Sequence, residues 1–253
     1  MSEIWSFYGA EATGKTTLGF SAIQAFPDGI LVHFDLDLGR DRAIWRFPDV
    51  AHRIKTVAFP EVPTWTLGSG AITQSWAKFE RTYEMALNDP EVRVLFVDTG
   101  TQMHRLNADE YLENYIKRNR PNRTQLQQIE YRIPNSRTRA KIMAAREAQK
   151  LLVISHYETS VYAEEFVQQP DGSIRKESVN TNRKTHAGFG DIAYMSDQHL
   201  RLFLRDINGS LVPFVKFLKP NPLAIYNLEV PEPTYIKLTQ VIAGIKNLEL
   251  SKL

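Results

Sequence analysis

The 253-residue chain contains no cysteine, which excludes disulfides, thiolate metal sites and cysteine nucleophiles, although it leaves the compartment open. It also lacks a long apolar run. Val94-Leu95-Phe96-Val97 and Leu151-Leu152-Val153-Ile154 are typical of its longest, far short of the roughly 18 residues a membrane span requires. No positively charged segment precedes the first apolar stretch, where Glu3 stands instead, so a secretory leader is not expected and the protein is read as soluble and cytoplasmic. Internal repeats, low-complexity tracts and composition breaks are missing too, which favours one domain over residues 1–253. With 43% hydrophobic and 24% charged residues, the composition is that of an ordinary globular protein rather than a disordered chain.

Acidic residues are scarce in one region. Residues 117–150 hold ten bases against two acids, a local net of +8 in a chain whose total is +2. The remainder therefore carries a net of −6. Such asymmetry points to a polyanionic partner, and the six arginines between Arg118 and Arg139 favour phosphate, which the guanidinium fork recognises. A solvated helix face with a basic loop would carry the same charges.

Apolar patterning alternates between strand and helix. Ile4–Tyr8, Ile30–Phe34, Val92–Val97 and Leu151–Ile154 read as buried strands, while Lys15–Ala25, Thr73–Leu87, Thr101–Ile116 and Ser136–Lys150 read as helices, with Pro121 and Pro134 as breakers between the last two. Strands separated by helices imply an α/β fold whose mainly parallel, twisted sheet has helices on both faces. Tyr157–Gly190 is long and polar, with a turn signal at Pro170-Asp171-Gly172, and reads as a hairpin or loop. A C-terminal antiparallel hairpin follows, His199–Arg205 and Leu211–Leu218 joined at Asn208-Gly209, and then a helix over Thr234–Leu248.

The most specific signal is Gly9-Ala10-Glu11-Ala12-Thr13-Gly14-Lys15-Thr16-Thr17, which fits G-x-x-x-x-G-K-[ST] between a strand and a helix. Small residues let backbone amides wrap a phosphate, Lys15 supplies a point charge to the terminal phosphates of ATP, and the Thr16 hydroxyl is placed to ligate Mg²⁺. Asp98, at the carboxyl end of a buried strand, is the expected metal-linked acid. Asp35 and Asp37 end the second strand and either could polarise water. His156 ends the fourth strand, where it could hydrogen-bond a γ-phosphate; a lone histidine is more often merely structural, but the carboxyl edge of a parallel sheet is where ligands bind.

This order of motifs resembles the RecA-type recombination ATPases, and especially the short phage-encoded RecA-like proteins linked to single-strand annealing. The resemblance covers roughly residues 4–222. It implies a catalytic acid at Asp37, where the family usually has glutamate, a metal-associated pair at Asp98-Thr99, a γ-phosphate sensor at His156, and a basic residue acting across a subunit boundary at Lys219. The family's extra N-terminal segment, which hooks the neighbouring subunit in a filament, has no counterpart before Ile4. Two DNA-binding loops would fall at 117–137 and 157–190. Arg118, Arg120 and Arg123 in the first, and Arg175, Lys176, Arg183 and Lys184 in the second, would meet phosphates, with Tyr157, Tyr162 and Phe166 stacking on bases. The implied activity is a DNA-stimulated ATPase that binds single-stranded DNA as a homo-oligomer, ring or filament, in the bacterial or phage-infected host cytoplasm, with a single-stranded-DNA-binding protein as a further candidate partner. A small-molecule phosphotransferase and a nucleotide-regulated binding module with little hydrolysis are the other classes that a phosphate loop allows.

Overall fold

The computed structural model describes residues 2–59, 70–168, 174–221 and 223–250. Nine strands, among these residues, form one sheet in the order β3-β2-β4-β5-β1-β7-β8-β9, with β6 paired to β5 off this path. Six adjacent strands run parallel: β3 (Ile54–Ala58), β2 (Ile30–Asp35), β4 (Val92–Asp98), β5 (Leu151–Gln168), β1 (Ile4–Gly9) and β7 (Gln198–Ile207). Two antiparallel strands, β8 (Ser210–Lys219) and β9 (Glu229–Pro231), extend the sheet beyond β7.

Helices cover both faces because the central strands are apolar on both. One face packs Trp5, Phe7, Phe96 and Val153 against α1 (Lys15–Ser21) and the C-terminal helix (Tyr235–Leu250). The approach of α1 is close: a Cβ on Gly19 would lie 2.2 Å from the Phe96 ring, so only glycine fits. The other face packs Ile4, Phe34, Val97 and Ile154 against α2 (Ala71–Asn88), α3 (Gly100–Tyr111) and α4 (Arg132–Glu147). On α2, the helical spacing of Ile72, Trp76, Phe79 and Tyr83 becomes a buried stripe. Phe79 stacks on Trp76 at 5.4 Å and tilts against Phe34 at 5.2 Å between ring centroids, contacts worth about 0.5–1.5 kcal/mol each beyond the area they bury. No helix among the described residues is long and apolar enough to cross a membrane.

The architecture matches the α/β expectation, with specific departures. Neither β3 nor β9 is visible in the sequence reading, since both are short and lie at the sheet's edges, where apolar alternation is weak. Pro134 does not break the helix after the basic stretch. It sits in the first turn of α4, where a missing N–H costs nothing, and its carbonyl accepts from Asn107 Nδ2 at 2.7 Å. The segment read as a hairpin or loop is a pair of long strands: β5 continues past the parallel sheet and pairs antiparallel with β6 (Ile174–His186). The turn signal at 170–172 lies outside the described residues, as does the side chain of Phe166. Asn208-Gly209 joins β7 to β8 as expected, both residues having positive φ (56° and 81°).

Candidate nucleotide site

The Gly9–Thr17 loop leaves β1 at the carboxyl edge of the sheet and enters α1 directly. Close contact dictates its first glycine: a Cβ on Gly9 would lie 2.5 Å from Leu202 O and 2.7 Å from Thr13 Oγ1. Backbone handedness dictates the second, since Gly14 has φ 91°. Thr13 Oγ1 donates to Ala10 O at 2.9 Å and holds the loop closed, while Ala10, Glu11 and Ala12 form its exposed rim and Thr17 sits half-buried behind it.

Lys15 lies folded into this loop, its ammonium donating to Gly9 O at 3.0 Å and Ala10 O at 2.8 Å. Burial lowers its pKa, opposed by the negative charges of Asp98, Asp37, Glu11 and Glu158. A buried cation whose hydrogen bonds, among the described residues, go to loop carbonyls suits a phosphate ligand. Thr16 Oγ1 donates to Asp98 Oδ2 at 2.7 Å, and Ser155 Oγ donates to Asp98 Oδ1. His33 Nε2 stands 3.8 Å from Asp98 Oδ2. Burial would raise the Asp98 pKa, but the His33 ring close by and the bonds from Ser155 and Thr16 outweigh it, so the carboxyl is held below its ordinary value and ionised.

Gly39 shows where the acids converge. A Cβ on it would lie 2.9 Å from Asp37 Oδ1, 3.2 Å from Thr16 Oγ1 and 3.7 Å from Asp98 Oδ2, so three oxygens border one small volume beside the phosphate loop. A few hard oxygens next to a phosphate cradle fit Mg²⁺, which keeps water and phosphate oxygens as its other ligands. Asp35 is engaged elsewhere, its carboxylate accepting from the amides of Gly39 at 2.9 Å and Arg40 at 3.3 Å. Of the two strand-end acids, Asp35 thus shapes the loop and Asp37 faces Thr16.

His156 and Lys219 do not join this group. Alternation along β5 puts Ser155 on the α1 side, against Asp98, and His156 on the opposite side, where a Cβ on Gly100 would lie 2.7 Å from its Cε1. His156 Nδ1 lies 3.2 Å from Ala187 O, which fixes the proton on Nδ1 and leaves Nε2 an acceptor, buried and without a hydrogen-bond partner among the described residues. Burial, with His186 and His199 nearby, pushes its pKa well below 6.5, so it is neutral. Direct donation from His156 to a phosphate oxygen is incompatible with this arrangement. Lys219 pairs with His199 on β7, level with Ser6 rather than Gly9, and its ammonium donates to Ser196 O at 2.9 Å and to Tyr194 O.

The basic segment is more neutralised than its sequence suggests. Arg123 donates to Glu130 at 2.6 Å and to Gln125 O, Arg137 to Glu110 at 2.5 Å, Arg139 to Asp191, Lys141 pairs with Glu80 and Glu84, and Arg146 with Asp197. Lys150 is buried on the carbonyls of Asp89 and Val92. Glu80, Glu84, Glu110, Asp191 and Asp197, all outside the segment, thus cancel much of the local +8. Arg118 and Arg120 remain exposed, Arg120 only 3.8 Å from Glu130. On the β5–β6 hairpin, Arg175 and Arg183 are exposed, Lys176 pairs with Glu164, and Lys184 donates to Ser160 Oγ. Asn114 Nδ2 donates to Thr73 Oγ1 at 2.9 Å, which ties the start of the basic loop to the N-terminal end of α2, on the carboxyl side of the sheet. The hairpin leaves from that same side.

Sequence reasoning missed His33, Ser155, Arg40 and the Arg201–Glu158 pair (2.9 Å), which sits beside Tyr8 near the loop. Ser155 had a signal: a hydroxyl residue in phase with Val153 on a strand adjoining the one that ends in Asp98.

No protein-family model and no curated protein matches this chain. Its fold is nevertheless found among solved structures. A KaiC-like protein of the hyperthermophilic archaeon Pyrococcus horikoshii is 12% identical, with a TM-score of 0.49, over 90% of this chain and 84% of that one. The RadB recombinase is 13% identical with a TM-score of 0.51, over 90% of this chain and 86% of that one. At this identity the likeness to RadB is one of architecture, and the chain has the RecA-like α/β fold that its motif order resembled.

Proposed function

We propose that the chain is a Mg²⁺-dependent ATPase that acts on single-stranded DNA and promotes annealing or strand exchange. The observation that carries this reading is the convergence of Lys15, Thr16, Asp37 and Asp98 at the carboxyl edge of a RecA-like sheet. In that arrangement Lys15 exchanges its loop carbonyls for terminal phosphate oxygens. Thr16 and Asp98 would hold the metal, which when bound neutralises charge on the β- and γ-phosphates. Asp37 lies beside them and accepts a proton from, or orients, the attacking water.

The two acids separate in mutants. Asp37→Asn is expected to keep nucleotide affinity and lower turnover at least about tenfold, whereas Asp35→Asn disturbs the loop amides and costs about 1–2 kcal/mol of stability. Denaturant unfolding and phosphate release read the two effects, and normal turnover in Asp37→Asn would remove it from the mechanism.

DNA is the proposed polyanion because the exposed cations Arg118, Arg120, Arg175 and Arg183 lie on segments at the carboxyl side of the sheet, with Tyr162 exposed on the hairpin. Binding to an oligonucleotide should weaken with salt, the log–log slope changing by about 0.7 per phosphate contact. Reversing both Arg118 and Arg120 to glutamate should weaken binding and flatten that slope by about 1.4 or more. An unchanged slope would move the interface elsewhere. Phosphate transfer to a small acceptor with no response to DNA would support a phosphotransferase instead, and nucleotide binding without turnover a regulated binding module.

A further inference from the structure

Tyr157 occupies the position that His156 does not. It pairs with Gly9 in the β1–β5 register, so it stands level with the start of the phosphate loop. Strand alternation places its side chain with Ser155, whose hydroxyl is on Asp98. Gln102 Nε2 donates to the Tyr157 phenol oxygen at 3.5 Å and the Thr99 side chain is in reach of the same oxygen, contacts that use the oxygen as acceptor and leave the phenol proton for another partner. Gln102 belongs to the first turn of α3, and its amide donates to Thr99 Oγ1 at 3.2 Å, next in sequence to Asp98. The Gln102 Oε1 is buried without a hydrogen-bond partner among the described residues.

The backbone of Tyr157 is clamped on both sides. Its N–H donates to Thr101 Oγ1 at 3.1 Å, and its carbonyl accepts from the amide of Ala187 at 2.9 Å. Thr101 Oγ1 in turn donates to Ala187 O at 2.9 Å. The first turn of α3, the residue at which β5 leaves the sheet, and the segment returning from β6 therefore form one hydrogen-bonded unit.

We propose that the Tyr157 hydroxyl, oriented by Gln102, donates to the terminal phosphate of a bound nucleoside triphosphate and links that phosphate to the β5–β6 hairpin. This rests on the nucleotide-site reading above and reassigns the sensing role within it from His156. It also gives Tyr157 a role other than stacking on a nucleic-acid base.

Tyr157→Phe is the test, because it keeps the ring, and so any stacking, and removes only the donor. Affinities for ADP and for a non-hydrolysable ATP analogue, each with Mg²⁺, are measured on wild type and variant. ADP should bind the variant within about twofold of wild type, while the preference for the analogue over ADP falls about tenfold or more, the cost of losing one hydrogen bond to a charged acceptor. Gln102→Ala should lower the same ratio without touching ADP affinity. A ratio unchanged in Tyr157→Phe, or an equal loss for both nucleotides, overturns the assignment. Failure of the wild-type protein to bind either nucleotide overturns the nucleotide-site reading along with it, so the two failures are told apart.

Discussion

Replacing Lys15 with alanine is expected to reduce ATP turnover by at least about 10²–10³-fold, the range found when a preorganised charge or donor facing the transferred group is removed. The ammonium is buried in the loop and bonded to two of its carbonyls, so it is already positioned and needs only to exchange partners. Stability should change little. A buried cation whose pKa is lowered by desolvation contributes less to the fold than its bonds suggest, and Thr13 Oγ1 still holds Ala10 O in its absence. Lys15→Arg should not restore activity, since a planar guanidinium cannot occupy the space of a compact ammonium inside this loop. Steady-state phosphate release, with thermal unfolding of the same samples, provides the check. Wild-type turnover in Lys15→Ala would dismiss the phosphate loop as the catalytic site.

The phosphate loop was legible because its chemistry is local. Its glycines, lysine and threonine are consecutive, and each requirement is met within nine residues. The parallel sheet was legible for a related reason: Val94–Val97 and Leu151–Ile154 are buried on both faces, so they carry continuous apolar runs that a short window detects. What stayed hidden depends on pairing between distant segments. His33 reads as a polar interruption of an apolar strand until β2 and β4 are adjacent and it faces Asp98. Arg137, Arg139 and Arg146 read as a basic tract until Glu110, Asp191 and Asp197 are brought beside them. The exchange of His156 for Tyr157 depends on one step of strand phase, which sequence spacing cannot fix and which moves a side chain to the opposite face.

That same phase gathers histidines where the hairpin meets the sheet, and they make the protein sensitive to acid. His156, His186 and His199 stand with ring centroids 5.5 and 5.1 Å apart in succession, and Tyr8 lies 5.5 Å from His199. His199 accepts or donates at 2.6 Å to Ser6 Oγ, and Lys219 adds positive charge from β8. Burial, then His186 and Lys219, push the His199 pKa down to about 3, and burial with His186 and His199 depresses that of His156. Both are below the unfolded value of about 6.5, so the unfolded chain binds more protons in acid. The stabilisation is complete above about pH 6.5 and is lost as pH falls toward the folded values. At pH 5 the loss from His199 alone is about 2 kcal/mol, and His156 adds a term of the same sign. Asp98 contributes in a separate window, losing its stabilisation only below about pH 4. Denaturant unfolding at pH 7.5 and pH 5.0 should therefore show stability falling by about 2 kcal/mol or more. His199→Asn, which cannot take up a proton, should remove the His199 share of that fall. Equal stability at the two pH values, or the same fall in the variant, would show that these histidines are not held neutral at the base of the hairpin.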